Sequence, residues 1–303
     1  MKKIFITGGT GFIGKEIINR LTEKKDVELY AITRNPKAEI QNVNILHGNI
    51  FDKDFLEASL NRIQPKSLLH LAWDVKGTDY YKSKNNTCWK EISKYLLERF
   101  LAHGGEHVVA SGTCFEYDTS LNIPHKETEI ANPDTPYGKS KFETYQYFQE
   151  LCDKRNARLV WGRIFYPYGK GEDPRKLFSA VHNALIKGQV FICKTPENII
   201  DYIHVGDVAD IFACFLSNHM IQGIVNVGTG DGKRIRDLLI QIAREIGRVD
   251  LLRFETGTDP KKIIVADVSR LKKLWQGETK DAENIDIWNW KKPSFNDAKQ
   301  SIK

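Results

Sequence analysis

Disulfide chemistry has little to work with in this sequence. Its 303 residues hold five cysteines, Cys88, Cys114, Cys152, Cys193 and Cys214, an odd number scattered along the chain. No C-x-x-C and no cluster of His with Cys occurs, so neither a disulfide framework nor a metal site is expected, and a reducing compartment suits the chain. No apolar run nears the ~20 residues a membrane-spanning helix requires, and strand-like residues follow Met1 directly. A soluble, cytoplasmic protein with no membrane partner is the expectation. The net charge of +6 suits an anionic ligand, but the Lys pairs at 24–25, 261–262, 272–273 and 291–292 are dispersed. Dispersed pairs read as a solvated surface, and no nucleic-acid partner is expected.

What is present is a core and a corner. With 41% hydrophobic residues, the chain can build one large domain with a subsidiary lobe. The corner is Lys3-Ile4-Phe5-Ile6-Thr7-Gly8-Gly9-Thr10-Gly11-Phe12-Ile13-Gly14. An apolar, partly β-branched run enters a glycine-rich turn, after which Phe12, Ile13, Ile17, Ile18 and Leu21 recur at helical spacing. Strand, tight turn and helix start make a seat for a nucleotide phosphate, because the free N–H groups and positive dipole end face the anion. Gly9 to Lys15 also fits most of a P-loop, but the following residue should carry a magnesium-binding hydroxyl and is Glu16. A triphosphatase is therefore set aside in favour of dinucleotide binding.

Residues 27–33 read as a second strand, at whose end an NAD-preferring site places a carboxylate for the ribose 2′-hydroxyl. Here stand Thr33 and Arg34. Nothing repels a 2′-phosphate and Arg34 can pair with one, so NADP(H) is favoured, with NAD(H) the alternative. Residues 44–47 read as a third strand, followed by Asn49 and Ile50 as neighbours of the adenine. A helix over 55–63 leads to a fourth strand at 68–73, whose Leu71, Ala72 and Trp73 would reach the middle of the cofactor. A helix over 87–103 and a strand over 107–111 lead to Thr113. The stretch 117–136, rich in Asp, Asn, Thr and Pro, reads as a long loop over the site. Tyr137 then opens an amphipathic helix to about 154.

Tyr-x-x-x-Lys occurs three times, as Tyr80/Lys84, Tyr137/Lys141 and Tyr166/Lys170. Pro167 and Gly169 make the third a loop, and the first follows the fourth strand, 68–73, which carries no hydroxyl residue. Only Tyr137 follows a strand-end hydroxyl, Thr113, across a loop, and four residues on a helix put Tyr137 and Lys141 on one face.

The glycine-rich octet from Thr7, His70-Leu71-Ala72, Ser111-Gly112-Thr113 with Tyr117, Tyr137/Lys141, and 201–209 (DYIHVGDVA) together resemble the extended short-chain dehydrogenase/reductases, the branch acting on nucleotide-diphosphate sugars. The stretch 290–295 (WKKPSF) resembles that family's closing segment. The resemblance implies an α/β, Rossmann-type doubly wound parallel sheet with a smaller C-terminal substrate-binding lobe. The dinucleotide domain would span 1–163, with 201–228 returning to it, and the substrate lobe 164–200 and 229–303. It also implies a catalytic group of Thr113, Tyr137 and Lys141 beside the sugar C4, and a homodimer through the helices at 87–103 and 137–154.

The chemistry follows from the side chains as well. Reducing a ketone needs a proton on oxygen, and a phenol with a pKa normally near 10 can supply it. At about 5 Å and an effective dielectric near 20, Lys141 would stabilise the phenolate by about 3 kcal/mol, roughly two pKa units. Thr113 would hold the reacting oxygen and Lys141 also the nicotinamide ribose. Sugar 4,6-dehydratases of the superfamily carry Asp-Glu after the catalytic Thr, whereas this chain has Cys114-Phe115. Glu116 falls one place late, on the opposite side of an extended segment. Relatives that epimerise at C3 and C5 keep a Cys where this chain has Phe115. Hydride chemistry at C4 remains, as a 4-ketoreductase using NADPH or a 4-epimerase with bound NAD. Arg34 and the chain length favour the reductase. A cofactor-binding regulator without activity usually loses Tyr or Lys from the pair, and this chain keeps both.

In the second lobe the usual diphosphate contacts are missing. Tyr166 stands where relatives often have Asn, and Ile200 where many have Arg before Asp201. Arg175 and Lys176, opening a helix over 175–186, or Lys194 could grip the phosphates instead. Trp73 and Tyr166 could shape the sugar pocket. A further amphipathic helix is expected over 234–247.

Overall fold

The computed structural model describes residues 1–77, 79–255 and 260–276. The family-like closing stretch at 290–295 lies outside them. The first half of the chain runs β1 (Lys2–Thr7), α1 (Phe12–Thr22), β2 (Val27–Thr33), β3 (Val43–His47), α2 (Lys53–Ile63), β4 (Ser67–His70), α3 (Asn85–Ala102) and β5 (His107–Thr113). Then come β6 (Pro124–His125), α4 (Pro136–Lys154), β7 (Arg158–Ile164), β8 (Tyr166–Tyr168), α5 (Leu177–Ile186), β9 (Phe191–Cys193) and β10 (Ile199–His204). The remainder is α6 (Val205–Ser217), β11 (Gly223–Val227), β12 (Gly232–Arg234), α7 (Ile235–Ile246), β13 (Leu252–Phe254), β14 (Ile263–Ala266) and α8 (Ser269–Gln276).

Successive apolar residues of the early strands go to opposite sides. Ile4 and Ile6 join one core while Phe5 between them joins another, and Leu69 and Val109 separate from Leu68 and Val108 in the same way. A strand buried on both faces needs helices on both faces, the condition met by parallel strands with helical crossovers. The result is a seven-stranded sheet in the order β11-β7-β5-β4-β1-β2-β3, parallel at every pairing. One face carries α1 and α6, pinned by Arg20 Nε donating to Asp210 at 2.6 Å. The other carries α2, α3 and α4, whose Leu60, Leu96 and Phe148 are fully buried. This is the doubly wound Rossmann-type architecture, and its strand order reverses next to β1 and β4, where such sheets open a crevice at their C-terminal ends.

A second sheet runs β12-β10-β14-β6, with β8 also paired to β10. The expected boundary at 163/164 falls at the end of β7, and β8 already belongs to this second sheet. Of the stretch 201–228, α6 and β11 lie with the large sheet while β10 does not. Asp201, fully buried on β10, accepts from Thr229 N and Oγ1 (2.9 and 2.6 Å), Gly230 N (2.9 Å) and Ala266 N (3.1 Å). One carboxylate thus ties the turn after β11 to β14.

Several boundaries differ from the sequence expectations for identifiable reasons. The fourth strand ends at His70 because β1 leaves into the glycine turn; Leu71 N still donates to Thr7 O, but Ala72 N turns to the Thr7 hydroxyl. Asp52 caps α2, accepting from Phe55 N at 3.0 Å, so that helix starts at Lys53. The α5 helix starts at Leu177 because Asp173 accepts from both the backbone and guanidinium of Arg175, holding the chain ahead of it in a turn. Residues 166–168 form strand β8 and not a loop. The loop expected over 117–136 includes β6, paired to β14.

Candidate active site

The glycine turn comes first, since it fixes the rest. Gly8 adopts φ +75°, and a Cβ there would lie 2.7 Å from Ala72 N, so only glycine lets the two strand ends meet. A Cβ on Gly14 would lie 2.2 Å from Gly8 O, which is what allows α1 to start directly against the turn. Gly11 caps α1 without a side-chain hydrogen bond, and no acidic residue stands in the first turn. The leading N–H groups of a helix lack intrahelical partners and carry the positive dipole end, so the turn fits a dinucleotide diphosphate.

At the end of β2, Thr33 Oγ1 lies 3.3 Å from Thr10 Oγ1. Arg34 follows, exposed. Asn49 is also exposed and accepts from Phe51 N, whereas Ile50 is buried in the core against α2 and α3. Beneath Leu71 and Ala72 runs a buried relay. Ser93 Oγ donates to Trp89 O at 2.6 Å and so accepts from His70 Nε2–H at 2.8 Å. His70 Nδ1 then accepts from the Thr7 hydroxyl at 2.7 Å. Burial, reinforced by the charge on Lys141, pushes the His70 pKa down to about 3, so the ring is a neutral strut that sets the end of β4.

Thr113, Tyr137 and Lys141 are brought together. Thr135 caps α4, accepting from Gly138 N at 3.0 Å, and Pro136 starts the helix at a position that needs no N–H. A Cβ at Gly138 would lie 2.1 Å from Phe115 O, so glycine lets α4 close onto the turn after β5. The Tyr137 ring stands 6.4 Å from that of Phe115 in the turn after Thr113, and the Thr113 hydroxyl acts on the phenol in favour of its ionised form. One helical turn on, Lys141 Nζ donates to Ser111 O at 2.8 Å and sits 4.1 Å over the Trp73 ring.

The electrostatics differ from the sequence estimate. Burial dominates at both groups: it pushes the Tyr137 phenol well above its ordinary value and draws the Lys141 ammonium down to about 7. Removal from water is the largest cause of the shift at each. The segment after Thr113 also differs, being a 3₁₀ turn at Cys114–Glu116 and not extended. At three residues per turn, Glu116 swings back beneath Thr113, where its Oε1 accepts from Thr113 N at 2.8 Å. Its other partners are the Trp161 indole N–H at 3.0 and 3.1 Å and Arg163 Nε at 2.8 Å.

Trp73 is half-buried, donating from its indole to Asn86 Oδ1 at 2.8 Å, with its ring edge-on to Tyr137 at 6.3 Å. Tyr166 is partly buried, 5.8 Å from the Phe115 ring and 5.7 Å from Tyr202, and burial raises its pKa far above the usual phenol range. Arg175 is exposed and engaged by Asp173 at 2.6 Å. Lys194 is exposed and follows β9, which pairs with β13 in a separate two-stranded sheet.

The sequence reading missed Tyr80 and Tyr81, which stand 5.0 and 6.0 Å from the Tyr137 ring. Lys176, half-buried, lies 4.5 Å over Tyr80, and burial lowers its pKa. An aromatic doublet shortly after a strand that ends in the crevice was the available signal. Glu116, Trp161 and Arg163 gave none.

A match to the NAD dependent epimerase/dehydratase family covers residues 4–228. The chain belongs to that family, of the extended short-chain dehydrogenase/reductase type. It is 22% identical over 267 residues to the dTDP-4-dehydro-6-deoxyglucose reductase of Escherichia coli, covering 83% of this chain and 84% of that protein. Its fold matches the UDP-glucose 4-epimerase of Thermotoga maritima solved with UDP-glucose, at TM-score 0.79 and 21% identity over 89% of this chain and 91% of that one. It also matches the Thermus thermophilus UDP-glucose 4-epimerase in complex with NAD, at TM-score 0.76 and 23% identity over 89% and 92%. Among the described residues no helix is long and apolar enough to cross a membrane.

Proposed function

We propose that this protein reduces the C4 ketone of a nucleotide-diphosphate sugar, with NADPH as hydride source. One observation carries the reading: α4 closes at Gly138 onto the turn after β5, which sets the Tyr137 phenol in reach of the Thr113 hydroxyl, while the carboxylate of that turn, Glu116, is consumed by internal donors. Such a cluster can deliver a proton to oxygen, and Glu116 is not free to take one from carbon.

In this reading the cofactor supplies the hydride when bound. Thr113 holds the ketone oxygen and Tyr137 gives it the proton. The high pKa of the phenol suits a donor that must stay protonated until the transfer, and the Lys141 ammonium then steadies the phenolate left behind. Cys114, buried to 1% exposure with its thiol pKa pushed up, has no part in the proton movements. The large sheet is the dinucleotide lobe, and the second sheet with α5 and α7 forms the substrate lobe. Arg34 at the end of β2 supports NADPH, since a guanidinium matches the 2′-phosphate. For the diphosphate the half-buried Lys176 is better placed than Arg175, which Asp173 engages, or Lys194. A homodimer through the outer faces of α3 and α4 belongs to the same proposal.

The fold match to two 4-epimerases favours a second reading, oxidation and re-reduction at C4 with retained NAD. Both readings meet one experiment. The protein is mixed with NADPH and dTDP-4-dehydro-6-deoxyglucose while nicotinamide absorbance is followed, and a separate sample is denatured to identify the dinucleotide it releases. NADPH oxidation that falls by about 10²–10⁴-fold in Tyr137→Phe supports the reductase. Stoichiometric NAD release with no NADPH consumption supports the epimerase, and turnover unaffected by Tyr137→Phe rejects the catalytic assignment. A regulator without activity is disfavoured because Tyr137 and Lys141 are both retained.

A further inference from the structure

Behind the reacting side chains lies a buried ion pair that the proposed chemistry does not use. Glu116 and Arg163 are 0% and 1% exposed and meet at 2.8 Å. Burying two charges is costly, and such a pair often contributes little or nothing to stability compared with apolar residues. Its surroundings point to another role. Glu116 Oε1 holds the Thr113 N–H, and the Trp161 indole fixes both carboxylate oxygens. Gly112 is required at the corner, because a Cβ there would stand 2.2 Å from Trp161 Nε1 and 2.7 Å from Glu116 Oε1.

We propose that Glu116 is a positioning residue: clamped by Arg163 and by the Trp161 indole, over whose ring Lys141 Nζ lies at 5.9 Å, it fixes the backbone of Thr113 and sets a counter-charge for the Lys141 ammonium. The inference rests on the assignment of Thr113, Tyr137 and Lys141 as the reacting group. Around Lys141 the charged or titratable neighbours are Glu116 from the turn after β5 and His70 from β4. His70 is neutral, and the remaining close groups are the rings of Trp73 and Trp161. Around Tyr137 they are Tyr80 and Tyr81, Cys114 and Glu116. Glu116 is the anion common to both sets. Its charge favours the ammonium of Lys141 and opposes ionisation of Tyr137, which keeps the donor loaded.

The test reads Lys141 directly and needs no turnover. Protein labelled with carbon-13 at lysine Cε is titrated by NMR, with the Lys141 resonance assigned by its loss in Lys141→Met. In Glu116→Gln, which keeps an oxygen acceptor for Thr113 but removes the charge, the Lys141 midpoint is expected to fall by about one pH unit. An unchanged midpoint in a folded Glu116→Gln protein overturns the proposal. If the orphaned Arg163 prevents folding, Glu116→Gln/Arg163→Met removes both charges. It is expected to lower the midpoint by less, and an unchanged midpoint there is equally fatal. Where the sugar nucleotide is turned over, the alkaline limb of kcat/KM moves to lower pH in the same variants. A shifted midpoint without turnover in the wild type rejects the substrate reading and leaves the role of Glu116 standing.

Discussion

Lys141 shows how far a single residue can be set against the fold that holds it. The residue is 2% exposed, and burial draws its pKa from 10.5 to about 7. Between pH 7 and 10.5 the unfolded chain therefore keeps a proton that the folded protein has released, and stability rises with pH across that window. Below pH 7 both states carry the charge and the full penalty of burying it remains. Lys141→Met is expected to stabilise the protein at or below pH 7 by about 2 kcal/mol, with a smaller gain at higher pH. Turnover in the same variant should fall by about 10² or more. Denaturant unfolding at several pH values, beside the NADPH assay, checks both. Destabilisation at pH 6 would show that the cation is held mainly by Ser111 O and Trp73 and not against a desolvation cost.

At the scale of elements, the sequence was most legible where a local rule and the tertiary context agree. The turn from β1 into α1 could be read because its glycines meet steric demands that no other residue satisfies. The start of α4 could be read because Thr135, Pro136 and the i, i+4 pair all belong to one helix end. The 3₁₀ turn at Cys114–Glu116 could not, since nothing in Cys-Phe-Glu signals it; Thr113 and Glu116 cap each other only once Trp161 and Arg163 stand behind them. At the end of β2 the proposed preference for NADPH makes its own prediction. Arg34→Ala is expected to raise KM for NADPH by about 10-fold and leave KM for NADH little changed, as loss of one phosphate contact should. Steady-state kinetics with both dinucleotides decide it, and an equal effect on the two would assign Arg34 to the surface.

For the whole molecule, buried polar side chains tie the second sheet to the large one: Asp201 on β10 holds the turn after β11, and Asn226 on β11 donates to His125 O and Asp267 O. Asp201→Ala leaves Thr229 N, Gly230 N and Ala266 N without their acceptor. Each unsatisfied buried group costs about 1–3 kcal/mol. A loss of about 3 kcal/mol or more in unfolding free energy is expected, with kcat little altered in the protein that remains folded, because Asp201 touches none of Thr113, Tyr137 or Lys141. Thermal and denaturant unfolding measure the first and the NADPH assay the second. A selective collapse of kcat would move Asp201 from the scaffold into the catalytic group.

Local composition and spacing were enough for the alternating strands, the glycine turn, the Tyr137/Lys141 face and the missing carboxylate after β2, because each depends on residues within a few positions of one another. The tertiary structure alone decided which charges survive burial, where the 3₁₀ turn directs Glu116, and that Tyr80 and Tyr81 stand against the Tyr137 ring with Lys176 over Tyr80. Those outcomes rest on groups far apart in the chain that share one low-dielectric pocket, and desolvation there is a property of the enclosure and not of any segment.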